Sequence, residues 1–124
     1  MSYQAVILTV SDSCAAGTRT DTSGPAIRAM LENAGFAVQA MQTVPDEEGQ
    51  ISAAIVHACD ILQADLVVTT GGTGLSARDV TPEATLAVLD REIRAIPVAM
   101  WVEGLKSTPR AMLSRAVAGI RGHT

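Results

Sequence analysis

A three-layer α/β/α domain built on a mostly parallel sheet is the fold class predicted for this chain, on three observations. Strand-like apolar runs at 5–10, 36–44 and 65–70 alternate with stretches of helical periodicity, the pattern of repeated βα units. Apolar residues make up 48% of the chain while Phe, Tyr and Trp occur once each. The core must therefore be aliphatic, which suits helices packed on a buried sheet. At 124 residues, the length is that of one domain with a core of useful size.

The elements follow in order. AVILTV at 5–10 is a continuous, β-branched run, hence a strand buried on both faces. The polar stretch SDSCAAGTRTDTSG ends at Ser23-Gly24-Pro25, where a capping hydroxyl and a first-turn proline favour a helix start. Ile27, Met30, Leu31 and Ala34 recur at helical spacing, and Gly35 stops the helix. Phe36 to Val44 alternates as a second strand. Pro45-Asp46-Glu47-Glu48 then opens a helix whose buried stripe is Ile51, Ala54, Ile55, Ala58 and Leu62. Its acids sit at the positive end of the helix dipole. A third strand at 65–70 empties into GGTGLSARDV, after which Thr81 is read as the cap and Pro82 as the first turn of a helix to about Glu92. Two more helices are expected over Pro97–Lys106 and Pro109–Gly119. AVAGIRGHT leaves the last of them through Gly119 and Gly122 as if toward another strand, so a chain cut short is the expectation.

Several function classes are disfavoured. So few aromatics offer little platform for stacking bases, which argues against nucleic acid. No apolar run approaches the roughly 20 residues that cross a bilayer, and MSYQAVILTVSDS lacks the basic start of a signal peptide. Cys14 and Cys59 are too few for a zinc site; reduced thiols and a cytoplasmic setting are expected. Net charge is −4, yet all 13 acids lie at or before Glu103, leaving Lys106, Arg110, Arg115 and Arg121 beyond it. That block is either a solvated helix face or a means of holding an anion. His57 and His123 are assigned no role. Ser11 has neither a G-x-S-x-G elbow nor a neighbouring base.

In a doubly wound sheet, ligands bind beyond the carboxyl ends of the strands. Ser11-Asp12-Ser13, Pro45-Asp46-Glu47 and the Gly71–Asp79 loop all follow strands and so converge there. Glycines at 71, 72 and 74 let main-chain N–H groups approach an anion, with Thr73 and Ser76 as hydroxyl donors. No Gly-Lys-Ser/Thr follows, which excludes a P-loop. Gly72, Gly74 and Ala77 fit G-x-G-x-x-A, but Arg78-Asp79-Val80 prolongs the loop where a dinucleotide-binding helix would already have begun. Asp79 beside an anion requires a cation, and Mg²⁺ held by Asp79 and Asp46 reconciles them. Helix capping suffices to explain Glu47 and Glu48.

The blocks VSDS, VPDE, TTGGTGLSARDVTPEAT and LKSTPRAMLSRAVAGIRG together resemble the MogA/MoaB family of molybdenum-cofactor biosynthesis proteins and the G domain of fusion proteins such as gephyrin. The resemblance runs over nearly the whole chain. It implies one molybdopterin-binding domain over 1–124, usually a homotrimer, that adenylylates molybdopterin with ATP and Mg²⁺, releases pyrophosphate, and hands the product to a molybdenum-insertion protein. It implies Asp46 and Asp79 as catalytic and metal-binding residues, Gly71, Gly72, Thr73 and Gly74 as the phosphate loop, and Ser11, Asp12 and Ser13 as the neighbouring wall. Lys106 falls in a further substrate-lining segment, and Arg78, Lys106 and Arg110 are the cations available to offset phosphate charge. A catalytically silent, pterin-binding carrier of the MoaB type is the alternative. Two departures stand out: Gly104 replaces a serine of some relatives, and the family continues past GIRGxT into a strand and an N-x-P-G loop.

Overall fold

The computed structural model describes residues 2–124. β1 (Gln4–Val10) is the central strand of a three-stranded parallel sheet, between β2 (Ala37–Val44) and β3 (Leu66–Thr70), in the order β2-β1-β3. Its burial follows the sequence expectation: Ala5 through Val10 are all buried. The two faces of β1 divide the work. Val6, Leu8 and Val10 join Ile51, Ala54, Ile55 and Ala58 of α3 (Glu48–Val56 and the π-turn His57–Ile61 that prolongs it) in one core cluster. On the opposite face, Thr9 Oγ1 donates to Asp21 Oδ2 at 2.8 Å, just before α2 (Ser23–Asn33). Helices thus cover both faces of the sheet, as predicted.

The two strand pairings bring the carboxyl ends together. Val10 stands opposite Val44, and Thr9 opposite both Thr43 and Thr70. The register of β1 on β2 slips at Ala5/Val6, leaving Gln39 as an extra residue; its Nε2 donates to the Leu62 carbonyl at 3.2 Å.

Several expected elements changed. A short helix α1 (Asp12–Ala15), capped by Ser11, follows β1 directly. Ser23 does not cap α2; Asp21 Oδ1 accepts from Gly24 N instead, at 3.1 Å. Of the α2 stripe, Ile27 and Leu31 are half-buried, whereas Met30 is exposed. Helix α4 (Thr81–Leu86) stops well short of Glu92. There β4 (Arg91–Glu92) pairs antiparallel with β5 (Gly119–Ile120), and Asp90 N and Ile93 N donate to the Ile120 and Ala118 carbonyls, both at 2.8 Å. Helix α5 (Ala95–Leu105) forms as expected, but the helix predicted over Pro109–Gly119 shrinks to one 3₁₀ turn, Pro109–Leu113. Its periodicity is real; long-range hydrogen bonds of the Arg115 N–H and of the Ala118 carbonyl compete for the backbone and win.

Gly104 has a packing reason: a Cβ there would lie 3.0 Å from the Ala111 methyl, so glycine lets α5 sit tightly on that turn. Along the outer edge of β3 runs an apolar groove of about 440 Å³, bordered by Val67, Leu89, Ile93, Met100 and Ile120. No helix among the described residues is long and apolar enough to cross a membrane. Cys14 and Cys59 are free thiols.

Candidate functional site

The three polar clusters expected at the carboxyl end of the sheet do meet there. Asp12 and Asp46, from the turns after β1 and β2, exchange hydrogen bonds: Asp12 N donates to Asp46 Oδ2 and Asp46 N to Asp12 Oδ1, each at 2.9 Å. Asp46 is thus oriented by main chain rather than by a cation. Arg78, from the glycine loop, closes the ring. Its Nε and Nη2 grip the two oxygens of Asp12 at 3.1 and 2.9 Å, and Nη2 also reaches Glu47 Oε1 at 3.0 Å. Such a forked pair is the strong form of the interaction. The Arg78 guanidinium, helped by the Asp46 N–H, holds the Asp12 carboxyl below its ordinary range. Of the three cations considered for phosphate, Arg78 is therefore paired with the protein's own acids.

That clamp has a defined pH dependence. A carboxyl depressed in the folded state contributes stability above its unfolded pKa, about 3.9, and loses it as pH falls through the lower folded value. The melting temperatures of the wild type and Arg78→Met should therefore differ by a constant amount between about pH 5 and 7 and converge below about pH 4. A difference that persists unchanged in strong acid would show that Arg78 acts by packing alone.

The loop after β3 is held by its carbonyls. Thr81 Oγ1 donates to the Gly71 carbonyl at 2.9 Å and Thr81 N to that of Gly72 at 3.1 Å. Arg115 N donates to the Thr73 carbonyl at 2.8 Å, and Arg115 Nε to that of Gly74, also at 2.8 Å. Thr81 is consequently not the helix cap that its sequence position suggested. Val80 occupies the cap position, and the Thr81 side chain latches the loop. Among the described residues none accepts a hydrogen bond from the N–H groups of Gly72, Thr73, Gly74 or Leu75. Gly71 and Gly72 have φ of 96° and 69°. Successive peptides turned this way form the kind of concave donor array that takes an anion.

Both aspartates expected to hold a metal border this array. A Cβ on Gly72 would lie 3.2 Å from Asp46 Oδ1, and one on Gly74 would lie 2.8 Å from Asp79 Oδ2. Asp79 Oδ2 accepts from Ser76 N at 3.0 Å. Neither Asp46 Oδ1 nor Asp79 Oδ1 has a hydrogen-bond partner among the described residues. No group of three or more His, Cys, Asp or Glu among those residues is placed to hold a metal ion by itself. Two carboxylates beside the loop are the donor chemistry that Mg²⁺ takes, since it needs few protein ligands and completes its shell with phosphate and water; they are too few for a closed zinc site.

Ser11 and Ser13 serve the wall itself. Ser11 Oγ accepts from Cys14 N at 3.2 Å and lies 3.3 Å from Ser13 Oγ. Beside them a cleft of about 170 Å³ opens, lined by Ser11, Cys14, Arg19, Asp21, Ser23 and Gly71. Sequence reasoning did not single out Arg19 or Asp21, although both lie in the polar stretch after β1. Lys106 is not brought to the loop by any hydrogen bond; it closes α5 and pairs with Glu103 at 3.0 Å. The basic block beyond Glu103 proves to be neither a solvated face nor an anion grip throughout. Arg115 is paired with Glu83 and Arg121 with Asp60 at 2.7 Å, so both serve internal contacts.

A family model described as "probable molybdopterin binding domain" matches residues 6–124. The chain belongs to this family. Within it, the chain is 40% identical over 119 residues to a molybdopterin adenylyltransferase of Helicobacter pylori, covering 93% of this chain and 66% of that protein. It is 38% identical over 117 residues to the molybdopterin adenylyltransferase of Escherichia coli, covering 93% of this chain and 60% of the relative. Among solved structures, the molybdopterin biosynthesis enzyme MoaB of Thermus thermophilus superposes with a TM-score of 0.93 at 47% identity, over 98% of this chain and 77% of that one. The chain spans less than two thirds of the length of the curated relatives it matches, from 18% to 66% for those named gephyrin and molybdopterin adenylyltransferase. The α/β fold of the family's solved members is therefore that of this chain.

Proposed function

We propose that this chain acts in molybdenum-cofactor biosynthesis as a molybdopterin adenylyltransferase, with residues 1–124 forming one molybdopterin-binding domain. One observation carries the reading: four consecutive main-chain N–H groups without a partner among the described residues, bordered by Asp46 and Asp79, at the carboxyl end of a parallel sheet. The adenylyltransferase relatives at about 40% identity supply the chemistry that such a cradle would serve. The terminal phosphate oxygen of molybdopterin attacks the α-phosphorus of ATP. The bond from that phosphorus to the bridging oxygen breaks, and pyrophosphate leaves.

Little covalent work falls to the protein; alignment and charge stabilisation suffice. The N–H groups of Gly72–Leu75 hold a phosphate. Asp46 and Asp79 would hold Mg²⁺, which when bound neutralises charge on the nucleotide. Arg78 keeps Asp12, and through it Asp46, in place. Ser11, Asp12 and Ser13 form the wall beside the bound molecule. The product would pass to a metal-insertion step, in a cytoplasmic setting.

Self-association, as the homotrimer, is part of the same reading. Its support is α5, apolar nearly all round, with Val98, Met100 and Val102 at least half exposed in the single chain; such a helix is normally covered.

The test supplies purified protein with molybdopterin and ATP, with and without Mg²⁺. Adenylated pterin and pyrophosphate should accumulate in equal amounts, and EDTA should abolish both. Pterin binding without ATP consumption by folded protein would reject the enzyme and leave the carrier.

A further inference from the structure

Arg115 lies 36 residues beyond Asp79, yet it touches the glycine loop at three points. Its own N–H donates to the Thr73 carbonyl at 2.8 Å, Nε to the Gly74 carbonyl at 2.8 Å, and Nη2 to the Asp79 carbonyl at 2.6 Å. Nη1 is anchored on Glu83 Oε2 of α4 at 2.6 Å. The guanidinium therefore joins the middle of the loop, its end and the helix that follows, while the main-chain N–H holds Thr73.

The consequence comes from peptide geometry. No cis peptide bond occurs among the described residues, and in a trans peptide the carbonyl and the next N–H point in opposite directions. Turning the Thr73 and Gly74 carbonyls toward Arg115 turns the N–H groups of Gly74 and Leu75 away from it. These are two of the four donors that have no partner among the described residues. Glycine at 74 leaves its peptides free to rotate, so an external clamp is what selects one orientation. A rigid, planar fork can hold several acceptors at once, which a lysine ammonium on a flexible stem does far less well.

We propose that Arg115 is a positioning residue that orients the peptides of the Thr73–Leu75 segment so that their N–H groups are preset for a phosphate or pyrophosphate group. Arg115 meets no ligand itself; its work is done through the loop. The proposal rests on the anion-cradle reading given above.

The experiment titrates ¹⁵N-labelled protein with inorganic pyrophosphate and Mg²⁺ and follows the amide signals of Gly72–Leu75. In the wild type these signals should shift. Arg115→Gln keeps the main-chain N–H that holds the Thr73 carbonyl but loses the grip on that of Gly74, so it should lose the shift at Leu75 and bind pyrophosphate at least tenfold more weakly, with the sheet amides unchanged. Arg115→Lys should fall between, and guanidinium added to Arg115→Ala should partly restore binding, which a merely structural loss would not allow. Wild-type and variant loops that shift alike would overturn the positioning role while leaving the cradle intact. Wild-type signals that ignore pyrophosphate would overturn the cradle, and the proposal with it. If Arg115→Gln does not fold, Arg115→Lys carries the same comparison, because it retains a cation opposite Glu83.

Discussion

Asp79→Asn should lower the rate of pyrophosphate release by on the order of 10²-fold or more at saturating ATP and Mg²⁺, with the fold almost untouched. The substitution keeps the size of the side chain and an amide oxygen able to accept from Ser76 N, the one hydrogen bond its carboxylate makes among the described residues. The contact to Arg115 uses the Asp79 carbonyl and survives. What disappears is the charge, which on our reading serves only when nucleotide and cation are present. Unfolding in urea should therefore change by no more than about 0.5 kcal/mol, because the half-buried side chain keeps its size and its hydrogen bond. A midpoint that drops in step with activity would make Asp79 a structural residue. Weaker Mg²⁺ dependence together with the lost rate would instead support the metal-holding role.

Gly71→Ala should be the most destabilising single-methyl change in the loop. Gly71 has φ 96°, and a Cβ placed on it would overlap the carbonyl oxygen of Val10 in the central strand. The backbone angle alone costs about 1–3 kcal/mol for a non-glycine residue. The overlap adds to this because its partner is main chain in β1, not a side chain that can swing aside. A total of about 3 kcal/mol or more is expected in urea unfolding. Gly49→Ala is the matched control: a Cβ on Gly49, within α3, meets nothing within 4 Å. It should be neutral or stabilise by up to about 1 kcal/mol, since alanine suits a helix better than glycine. Equal effects at the two positions would mean that neither the angle nor the contact matters at Gly71.

These two residues mark the kinds of information a linear reading recovers. Gly71 and Asp79 stand in one short block whose composition makes sense only as a bare loop with a charge at its rim. Thr81 shows the opposite case. Its position before Pro82 is that of a helix cap, and nothing local reveals that its hydroxyl bonds Gly71, ten positions earlier. Arg78 stood only as one of three cations that could offset phosphate charge, because its partners, Asp12 and Glu47, lie 66 and 31 positions away. Arg115 was visible only as one member of an acid-free basic block. The expected last helix failed for the same reason: its backbone had better partners elsewhere in the chain.

The amino-acid order alone was enough for the buried β1, the α3 stripe, the α/β alternation and the glycine loop with its two aspartates. Each depends on periodicity or on side-chain size, and both act over a few neighbouring residues. Folding was needed to aim the loop. Its donor face depends on Thr81 and Arg115, and the Arg115 side chain bonds Gly74 from 41 positions away. A hydrogen bond depends on distance and direction in space, and at that separation only the packed chain sets either one.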